Sequence, residues 1–221
     1  MPEISFVVPM LNEADQIRGC LGRLQAWRAL GDEVIVADGG SDDASVAIAT
    51  PLCDALTVSA PGRALQMNQG AARASGNMIA FLHADTHIGA GAREEILAAR
   101  DTWTFFDVRF DDERWPFQVI AWFMNTRSRI SKVATGDQVI CVSRALFLAA
   151  GGYPDIPIME DVALSKKLRR DSQPRWSAAQ VRTSARRWRC KGLVRTIVLM
   201  WVLRFAFFAG VSPERLVRFY R

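Results

Sequence analysis

The segment Ile79–Thr86 constrains the fold most strongly, because it joins a short apolar run to polar side chains. Residues 79–82 are apolar and glycines lie on either side of the segment, which is typical of a short buried strand. His83 and Asp85 follow directly. In open α/β sheets, ligands bind beyond the carboxyl ends of the strands, where a carboxylate suits a divalent cation and its phosphates. Alternatively, Asp85 caps the next turn and His83 is a satisfied, half-buried histidine.

Length and composition favour one globular domain. A chain of 221 residues, half of them apolar, can bury a full core. Its four cysteines are scattered, without a C-x-x-C pair, and no signal-peptide pattern is visible. These features predict free thiols in a cytoplasmic protein and argue against a zinc site.

Charge is distributed unevenly along the chain. Residues 1–165 carry 13 basic and 21 acidic side chains, whereas residues 166–221 carry 15 basic and 2 acidic ones. Such a basic tail can face nucleic acid, an anionic membrane surface or a phosphate-bearing ligand, or can simply be solvated.

The first half of the chain alternates strands with helices. Runs rich in apolar and β-branched residues predict strands at 4–9, 33–38, 55–59 and 79–82. Helical periodicity or composition predicts helices at 15–30, 44–49 and 64–74, the second capped by Ser41 or Asp42. This order predicts an α/β fold with a Rossmann-like, mostly parallel central sheet flanked by helices.

Polar side chains follow three of these strands: Asn12 and Glu13, then Asp38, then His83 and Asp85. Because carboxylates are rarely buried without partners, a nucleotide–metal site explains the three strand ends together. Neither G-x-G-x-x-G after the first strand nor G-x-x-x-x-G-K-[ST] occurs, which disfavours a dehydrogenase and a P-loop enzyme.

The second half contains predicted strands at 103–110 and 139–142, a helix at 117–130, and a helix beginning at Glu160 and Asp161. That carboxylate pair can stabilise the helix N-terminus by about 0.3–1 kcal/mol without any catalytic role. Trp115 and Trp122 border an acceptor groove or, more commonly for such residues, are buried aromatics.

The tail contains one long apolar stretch, from Leu193 to Val211. Its uncharged run between Arg195 and Arg204 has eight residues, far fewer than the roughly 20 that span a bilayer. Packing of this stretch against the body, a partner subunit or a membrane surface stays open.

Four segments together resemble a known family: Val7–Glu13, Val36–Asp43, Phe81–Asp85 and Met159–Asp161. In order and approximate spacing they resemble the family 2 glycosyltransferases with the GT-A fold, over essentially the whole chain. With residues 62–68, 136–138 and 184–188 added, the chain most closely resembles the short bacterial subgroup labelled arsenosugar-biosynthesis glycosyltransferases.

The resemblance implies a single GT-A domain over 1–221. Residues 1–90 would form the nucleotide-binding half, 91–190 the acceptor and catalytic half, and 191–221 a basic, apolar C-terminal helical tail. The implied activity is metal-dependent, inverting transfer of a sugar from a nucleotide-sugar donor to an unidentified hydroxyl acceptor.

The resemblance also implies roles for single residues. Asp161 would be the general base, with Glu160 beside it, and Asp85 would hold Mn²⁺ or Mg²⁺. Whether His83, which replaces the usual first aspartate of the metal motif, contacts metal or ribose stays open. The donor would be bound by Pro9, Glu13, Asp38, Arg63, His83 and Arg187, and the acceptor by Asp137, Gln138 and Trp188.

Two other functional classes are considered: a nucleotidyltransferase-type enzyme on a similar sheet, and a non-catalytic protein that binds through its basic tail. Glu160–Asp161 and the Arg186–Trp188 segment favour a glycosyltransferase over the first. The second leaves the acidic strand ends unexplained. We therefore expect a cytoplasmic glycosyltransferase with no nucleic-acid partner, and peripheral membrane contact through the tail stays open.

Overall fold

The computed structural model describes residues 1–89 and 91–220; residue 90, which ends the predicted nucleotide-binding half, and residue 221 lie outside the described residues. The strands, in chain order, are β1 (Ile4–Met10), β2 (Glu33–Asp38), β3 (Ala55–Val58), β4 (Met78–Phe81), β5 (Thr86–Ile88), β6 (Trp103–Phe110), β7 (Ile140–Ser143) and β8 (Arg175–Thr183). The helices are α1 (Ala14–Ala29), α2 (Ser45–Ala49), α3 (Arg63–Arg73), α4 (Ala92–Leu97), α5 (Trp115–Ser131), α6 (Arg144–Ala149), α7 (Glu160–Asp171), α8 (Arg186–Lys191), α9 (Leu193–Phe208) and α10 (Pro213–Tyr220).

All eight strands join one sheet in the order β3-β2-β1-β4-β7-β6-β8-β5. The first four strands in this order are parallel, as the alternating pattern predicts. Strand β7 runs antiparallel to both β4 and β6, while β6 and β8 are parallel. The predicted mostly parallel α/β sheet is confirmed, and it contains strands from both predicted halves of the chain.

Strand β1 lies at the centre of two core layers. Its alternating side chains Ile4, Phe6, Val8 and Met10 pack in the cluster that includes α1, whereas Val7 packs in the cluster that includes α3 and α7. Alternation across a strand directs successive side chains to opposite faces, so a continuous apolar run suits a strand covered on both sides. The buried strand therefore brings Asn12 and Glu13 to the edge of a rigid sheet.

Two predictions are wrong in detail. Neither Ser41 nor Asp42 caps α2; the backbone N–H of Ser45 instead donates to Asp43 Oδ1 at 2.8 Å. Trp115 and Trp122 are not buried aromatics, because their relative exposures are 73% and 60%. Both lie on the solvent side of α5, whose inner side packs through Phe117 among others.

The tail packs against the body through one side of α9 and α10. Leu203 and Leu216 are buried in a cluster with Val133, Ile158 and Val162. Among the described residues, no helix combines the length and apolar character needed to cross a bilayer.

Candidate active site

Hydrogen bonds connect the loops that follow β1 and β2. The N–H of Asn12 donates to Ser41 Oγ at 2.9 Å, and the N–H of Asp42 donates back to Asn12 Oδ1 at 3.0 Å. The N–H of Glu13 donates to Ser45 Oγ at 2.8 Å. Asn12 adopts a left-handed φ of 53°, which asparagine tolerates better than most residues. The two loops therefore form one rigid edge of the site.

Asp38 lies at the end of β2 and is 2% exposed. Its Oδ2 accepts the N–H groups of Gly40 and Ser41 at 3.0 and 2.9 Å, and its Oδ1 accepts the Ser41 hydroxyl at 2.5 Å. Pro9 lies beside it, in register with Ala37 of β2. Asp38 thus shapes this loop, and its contact with a donor stays a prediction.

His83 and Asp137 meet across the sheet edge. His83 Nδ1 lies 3.8 Å from Asp137 Oδ1, and the imidazole lies so close to Gly136 that a Cβ there would be 2.3 Å from His83 Cε1. Partial burial raises the pKa of Asp137, but the nearby positive charges of His83, Arg63 and Arg187 lower it by more. The net result is a pKa below the usual aspartate value.

The two carboxylates at the start of α7 have different surroundings. Asp161 Oδ2 accepts the N–H of Gly136 at 2.8 Å and its Oδ1 accepts the N–H of Val162 at 2.7 Å. Glu160 is 6% exposed. Burial and the charge of Asp161 raise the pKa of Glu160, while Arg63 opposes the shift. Asp161 is thus oriented by backbone donors, whereas Glu160 is the more buried acid.

Two residues with positive φ lie beside these acidic groups. Met159 has a φ of 66° directly before Glu160, and Val139 has a φ of 50° two residues after Asp137. A left-handed backbone costs a non-glycine residue about 1–3 kcal/mol, and such residues are concentrated at functional sites. This strain supports a functional role for both loops.

Two predicted donor arginines lie at this site together with a residue that the sequence analysis missed. The ring of Tyr220, in α10, stacks on the Arg187 guanidinium at 3.9 Å, and its hydroxyl accepts a hydrogen bond from Arg187. Desolvation lowers the pKa of Arg63, but Tyr220 and the carboxylates Glu160, Asp137 and Asp161 outweigh it and raise the pKa. No sequence pattern links Tyr220 to Arg187, because only the packing of α10 brings them together.

Two further cations that the sequence analysis missed lie near Asp161. Burial and the charge of Arg204 lower the pKa of Arg127 to about 10, whereas Asp161 opposes that shift. Burial also lowers the pKa of Arg204, again opposed by Asp161. The Nε of Arg127 is buried without a hydrogen-bond partner in the described part of the chain. The base candidate is thus influenced by positive charge from two helices, α5 and α9.

Asp85 follows β4 in the turn to β5. Its Oδ1 accepts the Thr86 hydroxyl at 3.4 Å. Burial raises the pKa of Glu13, Arg186 opposes this from 3.9 Å, and Asp85 adds to it, which places Asp85 and Glu13 within electrostatic reach. A cleft of about 330 Å³ contains Asp85 together with Arg23 and Arg182.

The donor set around Asp85 fits a metal only in part. Across residues 1–89 and 91–220, no three His, Cys, Asp or Glu side chains form a group that could hold a metal by themselves. Mg²⁺ is commonly held by one or two carboxylates, with water and substrate phosphates completing its coordination. Asp85 therefore fits a metal that is shared with a bound diphosphate.

Of the predicted acceptor residues, Gln138 is buried away from any acceptor, whereas the role of Trp188 stays a prediction. Gln138 is fully buried, and its amide bonds to the Ser128 hydroxyl at 2.7 Å and the Phe106 carbonyl at 3.3 Å, so its side chain supports the loop and cannot touch an acceptor. Trp188 is half-buried and contacts Phe110 edge-to-face, with ring centroids 5.8 Å apart. A larger cleft, about 450 Å³, lies between α5 and β6; Trp122 lines it, but none of the residues predicted to bind the donor, the acceptor or a metal does.

Comparison with known proteins finds a family match in the first part of the chain. Residues 5–102 match the family model described as Glycosyl transferase family 2. We call residues 5–102 the family 2 segment. The family 2 segment contains β1 to β5, and thus the strand ends that carry Glu13, Asp38 and Asp85. It resembles the uncharacterized glycosyltransferase YibD of Escherichia coli (strain K12), with 33% identity over 94 residues, 39% of this chain and 27% of that protein.

Solved structures share the fold beyond the family 2 segment. Mannosyltransferase PcManGT from Pyrobaculum calidifontis, in complex with GDP-Man and Mn²⁺, aligns with a TM-score of 0.61 and 20% identity over 82% of this chain and 56% of its own. Glucosyl-3-phosphoglycerate synthase from Mycobacterium tuberculosis, in complex with Mn²⁺, UDP and glucosyl-3-phosphoglycerate, aligns with a TM-score of 0.57 and 18% identity over 83% of this chain and 70% of its own. The predicted GT-A fold is confirmed.

The chain spans little more than half of the mannosyltransferase and about a quarter of YibD. The assignment to the arsenosugar-biosynthesis subgroup stays a prediction.

Proposed function

We propose that this chain transfers a sugar from a nucleotide-sugar donor to an acceptor hydroxyl, with inversion at the anomeric carbon. The observation that carries the proposal is the position of Asp161. Its carboxylate accepts a hydrogen bond from the backbone N–H of Gly136, in the loop that contains Asp137, and Asp137 lies beside His83. Strand ends from the family 2 segment thus face carboxylates from the second half. The solved complexes of the two glycosyltransferases support the same substrate class.

In this proposal Asp161 is the general base. Its two backbone hydrogen bonds fix the carboxylate while leaving lone pairs to accept the acceptor hydroxyl proton. The acceptor oxygen forms its bond to the anomeric carbon as the bond to the nucleoside diphosphate breaks on the opposite face, which inverts the configuration. Glu160, more buried, tunes the charge at this position.

Arg63 and Arg187 would neutralise charge on the departing diphosphate, because guanidinium groups donate to phosphate oxygens in a fork. Asp85 would hold Mn²⁺ or Mg²⁺, with Glu13 and His83 nearby, and the metal would supply further charge neutralisation. Asp137, partly exposed beside His83, would contact the acceptor. Location in the cytoplasm stays a prediction.

Donor titration and turnover of two neighbouring variants test the proposal. Asp161→Asn should lower kcat by about 10²–10⁴-fold, with nearly unchanged donor affinity, because a general base acts on the acceptor. Glu160→Gln should lower kcat less. Asp171→Asn, at the exposed end of the same helix, is the matched control and should behave as wild type.

Calorimetry with a panel of nucleotide sugars, with and without Mn²⁺, identifies the donor for these assays. An Asp161→Asn enzyme that turns over within a few-fold of wild type would remove the base assignment. Failure of every nucleotide sugar to bind, with or without Mn²⁺, would remove the donor class itself.

A further inference from the structure

Helix α9 exposes an apolar stripe along its whole length. The side chains of this stripe are each between 54% and 78% exposed. They are Val194, Val198, Trp201, Val202, Phe205 and Phe208. At 100° per residue these six positions fall within an arc of about 120°. The opposite side contains the buried Thr196 and Leu203, so the stripe is the outer face of a helix that is packed on the body.

Helix α5 presents a second apolar stripe. Trp115, Val119, Trp122, Phe123 and Ile130 are between 42% and 80% exposed, and their spacing places them on one face of that helix. The inner sides of α5 and α9 meet in one cluster through Phe117, Ile120, Leu193 and Ile197. Two adjacent helices therefore both present apolar outer faces, an unusual amount of exposed apolar surface for a monomeric soluble protein.

The tail that contains α9 carries almost only basic charges. Residues 186–220 contain one acidic residue, Glu214, and eight basic ones. Arg195 is exposed at the edge of the α9 stripe, and Lys191 is exposed just before the helix begins. A second copy would bring like charges together, whereas anionic lipid headgroups would neutralise them.

We propose that the outer faces of α5 and α9 dock the protein on an anionic membrane surface. Apolar side chains, including Trp115, Trp122 and Trp201, enter the headgroup region, where tryptophan is favoured, while Lys191 and Arg195 contact anionic headgroups. Helix α9 lies in the plane of the interface and does not cross the bilayer, because its 16 residues are fewer than the roughly 20 that a spanning helix needs.

Co-sedimentation with lipid vesicles tests this proposal without donor or acceptor, so its outcome is independent of the proposed reaction. The full chain should bind vesicles of equal parts phosphatidylcholine and phosphatidylglycerol at least about tenfold more tightly than vesicles of phosphatidylcholine alone, and added salt should weaken the binding.

Paired variants locate the surface. The double variant Trp201→Ser/Phe205→Ser should weaken vesicle binding by about tenfold or more, because it lacks two large apolar side chains that would be buried in the membrane interface. Lys191→Glu with Arg195→Glu should remove the preference for anionic lipid. Leu148→Ser, a 62% exposed leucine on α6, is the matched control and should bind as wild type. Circular dichroism confirms that each variant is folded.

Three results would overturn the proposal. The wild-type chain could stay in the supernatant with both vesicles. The α9 variants could bind as tightly as the Leu148→Ser control. Sedimentation velocity could show a wild-type dimer that Phe205→Ser converts to monomer, with no vesicle binding, which would assign the face to a second copy.

Discussion

Replacing Gly136 by alanine is the most direct test of how the site is assembled. The added Cβ would lie 2.3 Å from His83 Cε1 and 2.6 Å from His83 Nε2. Unstrained carbon contacts are about 3.5–4.0 Å, so the imidazole or the loop must move by about 1 Å or more. The same residue donates its N–H to Asp161 Oδ2 at 2.8 Å, so the movement also displaces the proposed base.

The expected effects of Gly136→Ala follow from that displacement. Overpacking typically costs about 1–3 kcal/mol, which for a chain of this size corresponds to a fall in Tm of about 2–12 °C. Misplacing a catalytic group by about 1 Å can lower the rate by about 10²-fold. Calorimetric melting and steady-state turnover measure the two effects separately.

Two further variants serve as controls for Gly136→Ala. Gly22→Ala, on α1, meets nothing within 4 Å and should leave Tm unchanged or raise it, because alanine favours a helix. Combining Gly136→Ala with His83→Ala should restore much of the lost Tm, since the clash is removed, while activity stays low. If Gly136→Ala melts and turns over like Gly22→Ala, the proposed packing of His83 against this loop is wrong.

Three more perturbations have defined outcomes. Burial and the charge of Asp161 raise the pKa of Glu160, so ionised Glu160 destabilises the folded state at high pH. Glu160→Gln should therefore raise Tm at pH 8. The difference in Tm between the variant and the wild type should vanish as the pH falls below the unfolded-state pKa near 4.5. A difference that is independent of pH would contradict this assignment. Tyr220→Ala should weaken donor binding by about 2–30-fold in calorimetry, because Arg187 loses its stacking partner, whereas Tyr220→Phe keeps the ring and should bind nearly as wild type. Equal donor affinities for the wild type and Tyr220→Ala would exclude a positioning role. Asp85→Asn should remove the Mn²⁺ dependence of donor binding with Tm unchanged, and normal Mn²⁺-dependent turnover would show that Asp85 is not the ligand.

The sequence predicts the first half of the fold well because β1, β2 and β4 are buried on both faces. Their apolar runs are continuous, and the residues that follow them are at one edge by the geometry of parallel strands. The same reasoning identified Asp85 and Asp38 as strand-end residues.

Residues whose position depends on distant packing were not predictable in this way. Gln138 has a polar side chain of the kind found in binding sites, yet its amide forms hydrogen bonds with Ser128 and Phe106, which lie in separate elements. Tyr220 contacts Arg187 only because α10 folds back over the site, a contact between residues 33 positions apart. Trp122 is exposed because α5 turns its other side to the body, and neither its identity nor its spacing distinguishes the two faces.

The hydrogen bonds between the β1 and β2 loops affect how readily mutations can change the substrate preference of the protein. Asn12 exchanges hydrogen bonds with Ser41 and Asp42, and the Ser45 hydroxyl accepts the N–H of Glu13, so altering one of these residues disturbs the edge formed by the two loops. If this edge binds the donor as proposed, we expect that substitutions on it must be made in sets to change donor preference. Asp137, the proposed acceptor contact, is half-exposed, and we expect that replacing it alone redirects acceptor preference.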